Sequence, residues 1–593
     1  LAVQVKKYSE ARGASLAEIH PVKNDIIITT RFGSTAQLHR VVQPLGARTQ
    51  ITFFDEPVSG VSYEPTKGEY LIYSKDVGGN EFGQLYQLDL KTLQSTLLTD
   101  GGRSQNGGIT WRADGKGFYF SSTKRNGGDR DIYYMDPKNP SVAKMVLQVK
   151  GGGWGILDIS KDNSQLLIGE YISANESHIW SLDIASGKLS EVTDRASKGV
   201  IQGGAKFGNS TNEIWFLTDK DNEFERLAIL DVKTKKVNYL TSKINWNVES
   251  FSFSEDKKQL VFITNEAGRN NMYLMTTKDQ SYSEVKNIPT GLIGGAEFTK
   301  DNQSVFFTQS TAQTASDVYR LSLKNGKIEQ WTASELGEMQ ASDMALPKFI
   351  EWKSFDGLGI SGFYYPAASK FTGKRPVLIQ IHGGPEAQSQ ASFLGASNFY
   401  TNEMGVAMIF PNVRGSAGFG KTYLAKDNGM LREDSVKDIG ALLDWIAQQP
   451  ELDKDRIMIV GGSYGGYMTA LCMTVGADYF KAGISVAPVT TWRFYDSVYT
   501  ERFLQRPQDN AKGYDDNSPI NHAEKLKGKF LLIHGTGDDN VHFQNAVLLQ
   551  DALIAQNKKF ESFYYPNRNH GIYGGMTRIH LYEMMTDFIL KNL

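Results

Sequence analysis

Residues 456–473 read "RIMIVGGSYGGYMTALCM", an apolar run that gives way to a serine set among glycines. Ile457, Met458, Ile459 and Val460 have the character of a short buried strand, and Tyr464 to Thr474, with its Ala, Leu and Met, that of a helix. Ser463 falls on the turn between them. Gly461, Gly462, Ser463, Tyr464 and Gly465 fit G-x-S-x-G, whose small residues let a strand reverse tightly into a helix and hold the hydroxyl out at the sheet edge. That placement suits a nucleophile. A glycine-rich turn carrying a solvated serine is the alternative, and the flanking strand and helix count against it.

Around this stretch, residues 350–593 alternate strands with helices. "PVLIQIHGG", "GVAMIFPNVRG", "AGISVAP" and "FLLIHGTGDD" are strand-to-loop units, and "EDSVKDIGALLDWIAQQ" has apolar residues at helical spacing. The alternation predicts a mostly parallel sheet flanked by helices, with function at the carboxyl ends of its strands. Upstream, residues 18–332 follow a different grammar. Apolar strands beginning at Ile26, Tyr70, Phe118, Leu166, Ile214, Leu260 and Val305 recur every 44 to 48 residues, several introduced by polar turns such as "RADGKG" and "TKDNQS". Seven starts at such a period predict a seven-bladed β-propeller; an elongated β-solenoid usually has much shorter repeats. Residues 1–17 are read as an N-terminal segment, and 333–349, "ASELGEMQASDMALPKF", as the linker to the second domain.

A length of 593 residues exceeds what one core organises, in keeping with two domains. Lys plus Arg total 64 against 66 Asp plus Glu, so nothing points to nucleic acid or an anionic membrane surface. No apolar stretch approaches the roughly 18 residues that suggest a membrane span. Cys472 is the only cysteine, which excludes an internal disulfide and any CxxC metal or redox site. The chain opens "LAVQVKKYSE" with no initiating Met, so a leader cleaved or left out is an open alternative. The expectation leans narrowly to a periplasmic or secreted location over a cytoplasmic one.

A serine nucleophile needs a base to take its proton and an acid to orient that base. In α/β-hydrolases they follow in the order Ser, Asp or Glu, His, each on a loop after a strand. "KFLLIHGTGDDN" delivers Asp538 and its rival Asp539 to such a loop, and "ESFYYPNRNHG" delivers His570. Each also has a plain reading, an ordinary turn acid and a loop histidine. His522 and His580 on helical segments, and His534 and His542 beside the acid loop, are weaker candidates. Attack by Ser463 creates an oxyanion that needs prearranged N–H donors, and the Tyr464 N–H at the helix start is placed to be one. "NVRGSAGFG", residues 412–420, matches a dinucleotide-binding pattern only loosely and is read as a shaped loop.

With these residues in hand, the hydrolase half resembles the prolyl oligopeptidase family of serine peptidases, in which a β-propeller caps an α/β-hydrolase. "GGSYGGYM", "APVTTWRFYDSVYTERF", "LLIHGTGDDNVHFQ" and "NHGI" carry the likeness, and the last three are especially similar to dipeptidyl peptidase IV. Over the propeller the likeness is one of architecture alone. The resemblance implies Ser463 as nucleophile, Asp538 as the orienting acid and His570 as base. It further implies Val489, Tyr495, Tyr499 and Val541 around the pocket for the residue before the cleaved bond, and Asn540 near the substrate carbonyl. Tyr495 and Tyr499, four apart, would share one face if "FYDSVYTERF" is helical; a core aromatic pair is the competing reading. In "IHGGPEAQ" the chain departs from dipeptidyl peptidase IV, which has a tyrosine at the position of His382. The "HGGP" form is similar to acylaminoacyl peptidases and implies the Gly383 N–H as the second oxyanion donor, with His382 either shaping the loop or acting directly.

These readings lead to a two-domain serine peptidase, a seven-bladed propeller followed by an α/β-hydrolase. It would act on short peptides after proline, alanine or another small apolar residue, without metal or organic cofactor. By the family resemblance, the propeller would admit unfolded segments and exclude folded proteins. Residues 18–332 contain no adjacent glutamate pair of the kind with which dipeptidyl peptidase IV holds a free ammonium. Blocked or longer peptides are therefore expected to be cleaved, as by an oligopeptidase or acylaminoacyl peptidase. A dipeptidyl peptidase, a carboxylesterase and a non-enzymatic binding scaffold are the rivals, and a homo-oligomer is left open.

Overall fold

The computed structural model describes every residue except Pro385. Its contacts divide the chain into two units, one of residues 12–310 with 316–334, the other of residues 1–11, 311–315 and 335–593.

In the first unit, seven four-stranded sheets follow one another, each built from four consecutive strands. The second strand of each is the apolar run that set the repeat, from Ile26–Thr30 in the first to Ser304–Thr311 in the last. β-Branched and aromatic residues dominate these strands, and Phe118–Ser122 is buried along its whole length. The first blade opens with Ser15–Ile19, earlier than residue 18, where the repeat becomes readable.

Because every sheet is completed by one contiguous stretch of chain, no strand is exchanged to lock the ring. The first and seventh blades close on side-chain packing instead: Ile26, Ile28 and Val41 meet Phe306, Val318 and Trp331. Around this seam the Leu45 N–H donates to the Trp331 carbonyl at 2.9 Å. Arg48 Nη2 lies 3.5 Å from Asp317 Oδ1.

The second unit is organised by one eight-stranded sheet. Its strands are β1 (Lys348–Lys353), β2 (Gly359–Tyr365), β3 (Arg375–Ile381), β4 (Ala407–Asn412), β5 (Leu452–Gly462), β6 (Ala482–Val486), β7 (Lys529–Gly535) and β8 (Glu561–Tyr565). The spatial order is β1-β2-β4-β3-β5-β6-β7-β8. Pairing is antiparallel from β1 through β2 to β4 and parallel from there to β8. Val377, Leu378, Ile379, Met458, Ile459, Ile484 and Leu532 fill the central strands, as expected of a sheet covered on both faces.

Residues 1–11 belong to this unit. Val5 and Tyr8 of the helix Ala2–Tyr8 join the cluster formed by Phe399, Tyr400 and Ile589, and Tyr8 donates its hydroxyl to Glu403 Oε1 at 2.6 Å. Cys472 is buried in the helix Tyr464–Thr474, and burial pushes its thiol pKa up. Among the described residues no helix is long and apolar enough to cross a membrane.

Trp331 is 1% exposed and sits in the seam, so Trp331→Ala is expected to cost about 3–5 kcal/mol, the range for emptying a large buried aromatic site. Denaturant unfolding followed by near-ultraviolet dichroism checks this. A cost under about 1 kcal/mol would show that the seam does not depend on this packing.

Candidate active site

Strand β5 runs directly into the helix Tyr464–Thr474, and Ser463 between them is held at φ 58°, ψ −121°. A side chain at positive φ is strained and persists only where its surroundings enforce it. Three glycines make the enforcement sterically feasible. A Cβ on Gly461 would lie 2.3 Å from the Gly465 carbonyl, one on Gly465 2.3 Å from the Ile381 oxygen, and one on Gly466 2.6 Å from the Val486 oxygen. The Ser463 N–H donates to the Val486 carbonyl at 2.9 Å, and the Ser463 carbonyl accepts from Tyr467 N–H at 2.9 Å. Tyr464 begins the helix, so its N–H has no intrahelical acceptor. Gly383 passes alongside: a Cβ built on it would lie 3.8 Å from Ser463 Cβ.

The loop after β7 presents Asp538 with its side chain enclosed and Asp539 exposed. Asp538 Oδ1 accepts the backbone N–H groups of Asn540 at 3.0 Å and Val541 at 2.9 Å. Its Oδ2 lies 2.7 Å from His570 Nδ1, on the loop after β8. With Nδ1–H committed to the carboxylate, the other nitrogen of an uncharged ring carries the lone pair a base requires. Burial pushes the Asp538 carboxyl up, but His534 and His570 outweigh it and hold the pKa at about 2. A pKa depressed in the fold stabilises it above the ordinary carboxylate range, and that contribution disappears as pH falls through about 2.

The tyrosines reach the same face by a different route from the one the sequence suggested. Helix Ser497–Leu504 starts after Asp496, whose side chain caps the Tyr499 N–H, so Tyr495 lies outside it in extended backbone. The two rings still meet edge to face, 4.8 Å apart. Tyr495 donates its hydroxyl to Asn540 Oδ1 at 2.8 Å and Tyr499 to the Gly384 carbonyl at 2.7 Å. Trp492 stacks on Tyr499 at 5.9 Å. Val489 and Val541 are buried in the loops after β6 and β7. Every residue in this set comes from a loop at the carboxyl end of β3, β5, β6, β7 or β8, or from the helix entered there.

A model of the prolyl oligopeptidase family matches residues 392–593, and one of the prolyl oligopeptidase N-terminal β-propeller domain matches residues 58–334. The chain belongs to the prolyl oligopeptidase family. It is 34% identical over 279 residues to prolyl endopeptidase FAP of Mus musculus, an alignment covering 45% of this chain and 36% of that protein. The chain thus spans about a third of the length of the curated relatives it matches. Its fold is similar to that of a crystallised Porphyromonas gingivalis dipeptidyl peptidase 4, with TM-score 0.73 and 22% identity over 97% of this chain and 89% of that one. It is similar also to a structure from a study of two prolyl endopeptidases, with TM-score 0.87 and 16% identity over 100% of this chain and 91% of that one.

Within this family member, both ring nitrogens of His382 are occupied. Nδ1 lies 2.6 Å from the Gly383 oxygen and Nε2 2.9 Å from Ser416 Oγ. Burial lowers its pKa and the Gly383 carbonyl opposes that shift. Ser416 belongs to "NVRGSAGFG", which is anchored by Arg414 Nη2 on Asp438 Oδ1 at 2.8 Å. The ring therefore ties two loops together, which accounts for a histidine at this position without a direct chemical role.

Sequence reasoning missed four residues here. Trp492 stood inside a quoted motif without being weighed, and His534 was set aside although it contacts Asp538. Arg432 and Asp427 gave no signal, since an arginine in "GMLRED" reads as surface charge. Both are enclosed, with Nη1 3.1 Å from Asp427 Oδ2. The guanidinium carbon lies 4.8 Å from the Trp492 ring, 5.1 Å from Phe503 and 5.6 Å from Tyr464. Tyr464 also donates its hydroxyl to Asp427 at 3.3 Å. The pair thus braces the residues behind the pocket.

Arg432→Met would strand the Asp427 charge and is expected to cost about 3–5 kcal/mol, whereas Arg432→Met with Asp427→Leu should recover most of it. Thermal or urea unfolding of both variants measures this, and equal losses would show that the arginine acts by its volume alone.

Proposed function

We propose that this chain is a serine peptidase that cleaves short peptides through an acyl-enzyme on Ser463. His570 acts first as base and then as acid, and Asp538 holds its tautomer. The observation that carries the reading is the 2.7 Å contact between His570 Nδ1 and Asp538 Oδ2, on the loops after β7 and β8, at the same carboxyl edge of the sheet as the turn after β5 that presents Ser463. The N–H groups of Tyr464 and Gly383 are the proposed oxyanion donors. The aromatic walls Tyr495 and Tyr499, with buried Trp492 stacked behind Tyr499, suit a compact apolar side chain, so proline and alanine are the proposed residues before the cleaved bond. That FAP is named a prolyl endopeptidase agrees with this preference.

Ser463→Ala is expected to abolish nearly all turnover of a proline or alanine anilide while leaving thermal stability unchanged within about 0.5 kcal/mol. Asp538→Asn should cost on the order of 10⁴-fold in kcat, and Asp539→Asn far less. Retention of a tenth of wild-type turnover by Ser463→Ala, or the reverse ranking of the aspartates, would overturn the assignment. An acyl ester assayed beside the anilide separates a peptidase from a carboxylesterase.

Matched free and acetylated Ala-Pro substrates test the dipeptidyl peptidase alternative, and we expect them to differ by less than tenfold in kcat/KM. A fall above roughly a hundredfold on acetylation, near 3 kcal/mol, would establish the dipeptidyl peptidase.

A further inference from the structure

His534 is the next-to-last residue of β7, and its side chain is wholly buried. Its Nε2 lies 2.8 Å from the Val541 carbonyl, which can only accept, so Nε2 carries a proton. The same nitrogen lies 3.2 Å from Asp538 Oδ2, the oxygen that receives His570. The opposite nitrogen, Nδ1, is buried with no hydrogen-bond partner. An unpaired buried nitrogen costs stability that an apolar side chain of similar size would not incur. The gain that offsets it is on the Nε2 edge.

That edge touches both halves of the acid loop. It fixes the Val541 carbonyl, while the Val541 and Asn540 N–H groups bind the other oxygen of Asp538. Asn540 in turn receives the Tyr495 hydroxyl. The groups facing the ring are Asp538, the Val541 carbonyl, the Phe543 ring at 5.8 Å and, across the shared oxygen, His570.

We infer that His534 is a positioning residue for the reaction: a second imidazole N–H facing the oxygen of Asp538 that binds His570, which fixes the carboxylate and tempers its pull on His570. This rests on the proposed roles of Ser463, Asp538 and His570. A carboxylate approached by an additional N–H dipole stabilises a neighbouring imidazolium less. Without the dipole, Asp538 would pull harder on the His570 N–H and would be held only by the Asn540 and Val541 N–H groups and by His570 itself.

His534→Leu removes both N–H and lone pair, whereas His534→Gln returns an N–H close to the position of Nε2. In His534→Leu, kcat per titrated active site should fall about tenfold, and the acid limb of kcat/KM should move up by about 0.5 pH unit, a fraction of a full hydrogen bond because the N–H bonds the Val541 carbonyl and approaches Asp538 only at 3.2 Å. His534→Gln should restore the limb and most of kcat. The wild-type enzyme offers a check that needs no variant to fold. Its ¹⁵N-edited spectrum should contain two downfield imidazole N–H resonances, both displaced in Asp538→Asn. The inference is overturned if only one such resonance responds to Asp538→Asn. It is overturned also if His534→Leu lowers stability while leaving the limb and kcat per active site unchanged. Activity surviving in Ser463→Ala would instead refute the underlying catalytic assignment.

Discussion

A serine does not rest at φ 58°, ψ −121° unless its neighbours hold it there, and much of the second unit does so. The strand before it and the helix after it approach so closely that glycine is required at 461, 465 and 466, where any Cβ would run into backbone. The same close approach brings the end of β3, and with it Gly383, alongside the hydroxyl-bearing residue. The parallel order of β3, β5, β6, β7 and β8 then delivers every other loop of the site to that one edge. Preorganisation here is a property of the backbone before it is a property of any side chain.

What could be read in advance divides along physical lines. The elbow, the Ser-Asp-His order and the seven repeats were legible because each is written in local spacing: glycines at fixed offsets, loops after apolar strands, a period in the forties. The first blade strand, Ser15–Ile19, was partly missed because its residues are half covered and carry little alternation. The conditional reading that put Tyr495 and Tyr499 on one helical face fails at Tyr495, because spacing cannot announce that Asp496 will start the helix after it. The Asp427–Arg432 pair was illegible for a stronger reason. Nothing in a sequence separates a charged residue facing water from one enclosed by three aromatic rings, since the rings come from distant segments. His534 was visible but undervalued, because its function depends on a loop closing back over seven residues onto its own strand.

The two units are stabilised on different plans. The propeller is a succession of similar sheets, each sharing side chains with the next, as Leu167 and Ile179 do with Phe207 and Phe216. Its polar network is largely local, of turn aspartates capping their own hairpins, such as Asp183 with Ser186 and Asp231 with Thr234. The catalytic unit instead encloses charged groups in its interior, Arg414 with Asp438 and Arg432 with Asp427. Such pairs add little net stability over apolar packing but penalise any arrangement that separates them. That penalty suits a unit whose loops must settle in one geometry.

The solitary thiol of Cys472 lies in the helix that carries Ser463 at its head, enclosed and with its ionisation suppressed by burial. Thiolate is the form of cysteine that reacts with oxidants and alkylating agents, so in the folded chain this thiol is shielded from both. With no second cysteine, it has no disulfide chemistry within one chain by which to record its redox surroundings. The thiol becomes reactive only when the helix beneath the serine opens. Its rate of alkylation is therefore a built-in clock for the opening of the catalytic unit, readable without attaching any probe.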